Sequence, residues 1–271
     1  METFTEKVSE VTAKVLSKGK YKNIHPGIIS YIAKTELKKN RGQKETIKAV
    51  TGKLHQIGGA YFPSKPDYPA WNSGLGLLPT DLKSPDVKAF CRQVLARHYS
   101  TRERLPILET FFHETLASIS PVHSILDLAC GFNPLTVPWM PLAEDIQYQG
   151  CDIFSDLIDF LGSFSSHFAL NADFSTCNLM ECDFDGKYQV AFLLKTIPCL
   201  EQLESEFSIR LLDAIPADYL LISFPVRSLG GHGKGMRGSY ASQLEQILGG
   251  RNWPVRAYEF SDEIAYLVKK Q

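Results

Sequence analysis

Three short segments place small and acidic residues where a nucleoside would be held. Ser124-Ile-Leu-Asp-Leu-Ala-Cys-Gly-Phe-Asn-Pro134 is an apolar run ending in a tight turn. Gly131 in that turn lets backbone approach a ligand that a side chain would block. Asp152 closes Gly150-Cys-Asp152, 21 residues beyond Gly131. A carboxylate at the end of a second strand accepts hydrogen bonds from both hydroxyls of an adenosine ribose. Asp183 and Phe184 follow a third strand, at the next carboxyl end along the sheet. Each acid alone is equally a loop or cap residue. Three at successive strand ends describe one site, because ligands of open α/β sheets bind beyond the carboxyl ends of the strands. Asp127, Ala129 and Ile153 flank these positions and join the candidate set. The missing G-x-G-x-x-G argues against a pyrophosphate cofactor.

A second group is cationic. His98, Ser100, Arg102 and Arg104 precede a helix that Ser100 or Thr101 can cap. An arginine there can pair with a cofactor carboxylate, or equally with Glu103, Glu109 or a phosphate. Lys195 follows the fourth strand, at the usual entrance for an acceptor, where a snorkelling surface lysine is the alternative. In the run from Arg227 to Arg237, Gly230, Gly231, Gly233 and Gly235 let backbone follow a sugar-phosphate chain, while Arg227, Lys234 and Arg237 offer phosphate partners. The run is not a Walker loop, since Ser228 stands where the first Gly should be and Gly235 follows Lys234. Phe132, Trp139, Phe224 and Met236 are able to stack on a base, although such residues near a sheet usually build the core. Only Met236, carried by the Gly-rich loop, is assigned to the acceptor side. The seven histidines and six cysteines form neither an H-E-x-x-H nor a C-x-x-C pair, so no metal is expected.

The elements that must position these residues follow from periodicity. Val8, Val11, Val15 and Leu16, then Ile28, Ile29, Ile32 and Ala33, then Ile47, Val50 and Leu54 fall at helical spacing and predict three short helices. The five prolines between Pro63 and Pro85 predict an irregular connector. Helices are expected over Pro85 to His98 and Thr101 to Ile119. Strands are expected over Ser124 to Ala129, Tyr148 to Ile153, Ala172 to Cys177, Val190 to Leu194 and Tyr219 to Phe224. Val255 to Phe260 and Glu263 to Lys269 should form an antiparallel hairpin. Five parallel strands and a terminal hairpin are the order of a Rossmann-like class I methyltransferase using S-adenosylmethionine. The predicted fold class is therefore α/β, with an all-helical domain over 1–104 preceding the Rossmann-like methyltransferase domain over 105–271.

The net charge of −1 conceals an asymmetry: residues 1–104 carry +10 and residues 105–271 carry −11. Lys34, Lys38, Lys39, Lys48 and Lys53 lie off the apolar stripes, and a basic helical face suits either a polyanion or plain solvation. The charged start and the absence of a long apolar stretch predict a cytoplasmic protein without a membrane span.

With His98-Tyr-Ser-Thr-Arg-Glu-Arg-Leu105, Leu126-Asp-Leu-Ala-Cys-Gly-Phe-Asn-Pro134, Gly150-Cys-Asp-Ile153, Lys195 and Ser223-Phe-Pro-Val-Arg-Ser-Leu-Gly-Gly-His-Gly-Lys-Gly-Met236 in view, the chain resembles the aminoglycoside-resistance 16S rRNA methyltransferases of the Arm/Rmt family. The resemblance covers the sheet domain and, less sharply, the basic helices with Leu54-His-Gln-Ile-Gly-Gly-Ala-Tyr61. It implies transfer of a methyl group from S-adenosylmethionine to N7 of guanine 1405 in the 30S subunit, with resistance to gentamicin- and kanamycin-type drugs. It further implies a monomer, cofactor contacts from Arg104, and an acceptor site formed by Lys195, Arg227, Lys234 and Met236. Val226, His232 and the long connector depart from the family pattern. The competing readings are a small-molecule methyltransferase with a helical lid and a non-catalytic rRNA-binding factor.

Overall fold

The computed structural model describes residues 3–226 and 236–271, and for residues 236–239 the backbone only. The order is α1 (Phe4–Leu16), α2 (Pro26–Leu37), α3 (Gln43–Ile57), α4 (Tyr68–Leu75), α5 (Pro85–Leu95), α6 (Tyr99–Arg104), α7 (Leu108–Leu116), β1 (Val122–Leu128), β2 (Leu142–Asp152), α8 (Ser155–His167), β3 (Ala172–Thr176), β4 (Tyr188–Leu194), α9 (Ile197–Glu201), α10 (Phe207–Ala214), β5 (Ala217–Pro225), α11 (Met236–Leu248), β6 (Val255–Glu259) and β7 (Glu263–Lys269). The sheet runs β3-β2-β1-β4-β5-β7-β6. β1 to β5 are parallel, and β7 pairs antiparallel with both β5 and β6. This is the Rossmann-like methyltransferase sheet with its terminal hairpin. Strand order reverses between β1 and β4, which opens a crevice at their carboxyl ends.

Side-chain alternation divides the core. Leu126 and Leu128 face a cluster shared with α1, α2, α3, α9, α10 and α11, whereas Ile125 faces one shared with α4, α5, α7 and α8. The N-terminal helices therefore bury Val11, Val15, Ile29, Val50 and Leu54 in the same core as the sheet. They are also joined to the loop after β2: His25 N donates to Ile153 O at 2.7 Å, Ser155 N to Asn23 O at 2.8 Å, and Asn23 Nδ2 to Asp156 Oδ2 at 2.7 Å.

Two expectations about helices are corrected. The Pro63 to Pro85 connector contains α4, which starts under an Asp67 cap accepting from Ala70 N at 3.2 Å, with a proline in the first turn. Proline is tolerated there because the first amides of a helix have no intrahelical acceptor. Tyr68 and Trp71 of α4 pack on Phe132 and Phe160. The single helix expected over Thr101 to Ile119 is broken into α6 and α7 by a 3-10 turn at Leu105–Ile107, because Pro106 donates no helical hydrogen bond. Among the described residues, no helix is long and apolar enough to cross a membrane, and no group of three His, Cys, Asp or Glu is placed to hold a metal.

Candidate active site

The turn after β1 brings the site together. Ala129 (φ +55°) and Gly131 (φ +50°) both adopt left-handed backbone. That conformation costs a β-carbon-bearing residue about 1 kcal/mol, and such strain concentrates at functional sites. The reversal aims Gly131 N at Asp152 Oδ2, 2.9 Å away, while Asp152 Oδ1 accepts from Ile153 N at 2.7 Å and Phe154 N at 3.3 Å. Burial pushes the Asp152 carboxyl up, and the three amides pull the other way. A carboxylate fixed by three backbone donors keeps its remaining lone pairs in a set direction.

A cavity opens at this point, over the carboxyl ends of β1, β2 and β4. Its walls include His98, Ser100, Ala129, Gly131, Asp152, Ile153 and Lys195, so seven residues singled out from sequence meet in one place. His98 stacks on Tyr61 with centroids 5.4 Å apart, and its buried Nδ1 has no partner. Burial and the nearby Lys195 ammonium push the imidazole down to about 3, so the ring is neutral at physiological pH. Lys195 sits at φ +60°, only 5% exposed.

Other candidates lie elsewhere. Arg104 is buried behind the cavity, not among its lining residues: Nε and Nη2 donate to Glu263 at 3.0 and 2.5 Å, and Nη1 donates to Asn133 Oδ1 at 3.1 Å. Asp127 is likewise behind the wall, accepting from Tyr148 Oη at 2.5 Å and Asn133 Nδ2 at 2.8 Å. Asp183 is exposed and Phe184 half-buried against the core, and neither lines the cavity. Its edge after β3 is made instead by Asn178, Leu179 and Met180. Asn178 is 5% exposed, with Oδ1 accepting from Met180 N at 3.2 Å. The strand ends at Thr176, and Asn178 is the first amide-bearing residue beyond it, a signal that reading the strand ends for acids alone misses. Tyr61, Phe62, Phe154 and Thr196 are among the other wall residues, and no sequence pattern marks them for this site. Arg227 and Lys234 fall outside the described residues, as do the side chains of Met236 and Arg237. Lys34, Lys38, Lys39 and Lys48 are exposed. Lys34 pairs with Glu181 at 3.4 Å and Lys39 with Glu36 at 2.7 Å, and half-buried Lys53 donates to Gln202 O at 2.5 Å.

Asp127 has a pH signature. Burial pushes its carboxyl up to about 6, against hydrogen bonds from Tyr148 and Asn133 and the Arg104 charge. A raised folded-state value favours the protonated form, so stability falls as pH rises from the ordinary value of 3.8 through about 6. The difference is about 3 kcal/mol. Asp127→Asn, which needs no charge to be buried, should therefore gain about 2–3 kcal/mol over the parent at pH 8 and differ little at pH 4. Equal differences at both values in urea denaturation would exclude this account.

A turn with left-handed backbone at Ala129 and Gly131, a carboxylate fixed one strand away and a cavity with apolar walls that also includes Lys195 fit an adenosine carrying a charged tail. Together with the sheet order they define a class I S-adenosylmethionine-dependent methyltransferase. Residues 17–267 match the model of the ribosomal RNA methyltransferase (FmrO) family. The 16S rRNA (guanine(1405)-N(7))-methyltransferase of Micromonospora echinospora is 30% identical over 98% of this chain and 97% of that one. The protein of the same name from Micromonospora rosea is 29% identical over 99% of this chain and 98% of its own. The crystal structure of 16S rRNA methyltransferase RmtF in complex with S-adenosyl-L-homocysteine superposes with TM-score 0.84 at 27% identity, covering 98% of this chain and 99% of that one. RmtB follows at 0.81 and 26%, covering 97% of this chain and 98% of its own. The chain belongs to the FmrO family of ribosomal RNA methyltransferases.

Proposed function

We infer that this chain methylates N7 of guanine 1405 of 16S rRNA in the 30S subunit, and that the modification protects the subunit from aminoglycosides. The observation that carries the reading is the Gly131–Asp152 cradle sharing one cavity with Lys195 in a member of an rRNA methyltransferase family. The cofactor supplies an electrophilic methyl group on a sulfonium. Guanine N7 has an in-plane lone pair and no proton, so the protein must orient the acceptor and exclude water and has no proton to remove. A neutral His98 suits that requirement. In this reading Asp152 takes the ribose, with Gly131, Ala129 and Ile153 shaping its turn. Asn178 to Met180 bound the adenine, and His98 and Ser100 lie towards the amino-acid end. Arg104 and Asp127 support these walls from behind. The base leaves its helix to enter the cavity, and Arg227, Lys234, Met236 and Arg237 are assigned to the RNA side.

The test is to incubate 30S subunits with labelled S-adenosylmethionine and map the modified nucleotide. Label at N7 of guanine 1405 is expected. Label elsewhere, or none, would overturn the assignment. The double charge swap Lys48→Glu and Lys53→Glu should reduce subunit binding, and the slope of log affinity against log salt should become shallower by about 1 for each phosphate no longer neutralised. Affinity for S-adenosylhomocysteine should be unchanged. A small-molecule methyltransferase would show no such salt dependence.

A further inference from the structure

The Lys195 side chain is 4% exposed, and its ammonium lies among three oxygens from two elements. Nζ donates to Glu103 Oε2 at 2.7 Å and to Ser100 O at 3.1 Å, and Glu263 Oε2 lies 3.5 Å away. These partners differ in what else they do. Glu263 is already engaged by Arg104 through two hydrogen bonds. Glu103, about a quarter exposed, has Lys195 as its hydrogen-bond partner. Glu103 sits on α6 and Lys195 at the end of β4, 92 residues away, so their meeting follows from the packing of α6 and not from any local pattern.

We propose that Glu103 is a positioning residue for methyl transfer, acting through Lys195: it fixes the ammonium at the cavity wall and cancels its charge. The inference rests on the methyltransferase reading above. In that reaction the positive charge of the sulfonium passes to the purine. Without Glu103 the ammonium would keep only the longer contact to Glu263, which Arg104 already engages, and its charge would oppose the cation that forms on the base. It would also be free to sample other rotamers. A carboxylate at 2.7 Å offsets both effects before the reaction begins.

The test uses the full chain, 30S subunits and labelled S-adenosylmethionine in single-turnover kinetics. Glu103→Gln keeps an acceptor and removes the charge, and should lower the methyl-transfer rate on the order of 10- to 100-fold. The half-saturating concentration of subunits and the affinity for S-adenosylhomocysteine should change by less than about threefold, as expected when the lost interaction is worth most in the transition state. Glu103→Asp should recover part of the rate. In a Lys195→Met background Glu103→Gln should cost almost nothing more, because the two changes remove one interaction. An unchanged rate in Glu103→Gln, or additive losses in the double variant, would overturn the proposal. So would a loss matched by Glu103→Asp together with a lowered melting temperature. If the unaltered protein leaves 30S unlabelled, the functional reading fails and this proposal falls with it, whereas labelling by the parent with an unchanged rate in Glu103→Gln overturns this proposal alone.

Discussion

Glu263→Gln is expected to destabilise the fold by about 3–5 kcal/mol, the cost of removing one partner from a buried ion pair. Both Glu263 and Arg104 are 1% exposed, and their contact is bidentate, with Lys195 at 3.5 Å and Asn133 satisfying a further guanidinium nitrogen. Burial pushes the Glu263 carboxyl up, but the Arg104 and Lys195 charges opposite outweigh it and hold it below the ordinary glutamate range. A depressed folded-state value means stability that is present above pH 4.5 and lost as acid protonates the group. Guanidinium chloride denaturation at pH 7 should show the full loss, and the difference between variant and parent should shrink towards low pH. A loss under about 1 kcal/mol would mean that water reaches the stranded cations and solvates them.

Asp152→Ala is expected to weaken binding of S-adenosylhomocysteine at least about 100-fold, since charge-assisted hydrogen bonds contribute roughly 1.5–3 kcal/mol each. The loss has two sources. The acceptor proposed for the ribose is removed, and the amides of Gly131, Ile153 and Phe154 lose the group that shapes the turn. Asp152→Asn separates them. It preserves size and one oxygen, but its amide nitrogen must face a backbone donor, so it should bind better than Ala and well below the parent. Titration calorimetry measures both, with circular dichroism as the check that the sheet is intact. Binding within about fivefold of the parent in Asp152→Ala would remove this carboxylate from the cofactor site.

The sheet was legible because its determinants are local. Apolar runs of strand length alternate with helical stripes, and β1, β3, β4 and β5 begin and end within two residues of the expected limits. β2 starts six residues earlier than expected, at Leu142, because its outer half is mixed in polarity and carries no strand pattern. The Gly131–Asp152 pair was legible for the same reason, since strand ends define where a sheet binds its ligands. Elements stabilised by distant packing were not. α4 is a short helix held by Phe132 and Phe160, and its own sequence reads as a Pro-rich loop.

The sequence by itself thus determined the class of fold, the family and the cofactor, and it singled out the turn and the carboxylate that the structure brings together at one cavity. All of these are carried by neighbouring residues and by spacing along one strand. Only the tertiary structure decided that Asn178 and not Asp183 borders the cavity, which depends on where β3 stops and the chain turns. It alone decided that Arg104 is committed to Glu263, 159 residues away. The same is true of the basic helices, which His25, Asn23 and a shared core join to the loop after Asp152. Ion pairs and core contacts between distant segments leave no period in the chain. They exist only once the sheet has closed and water has been excluded from between them.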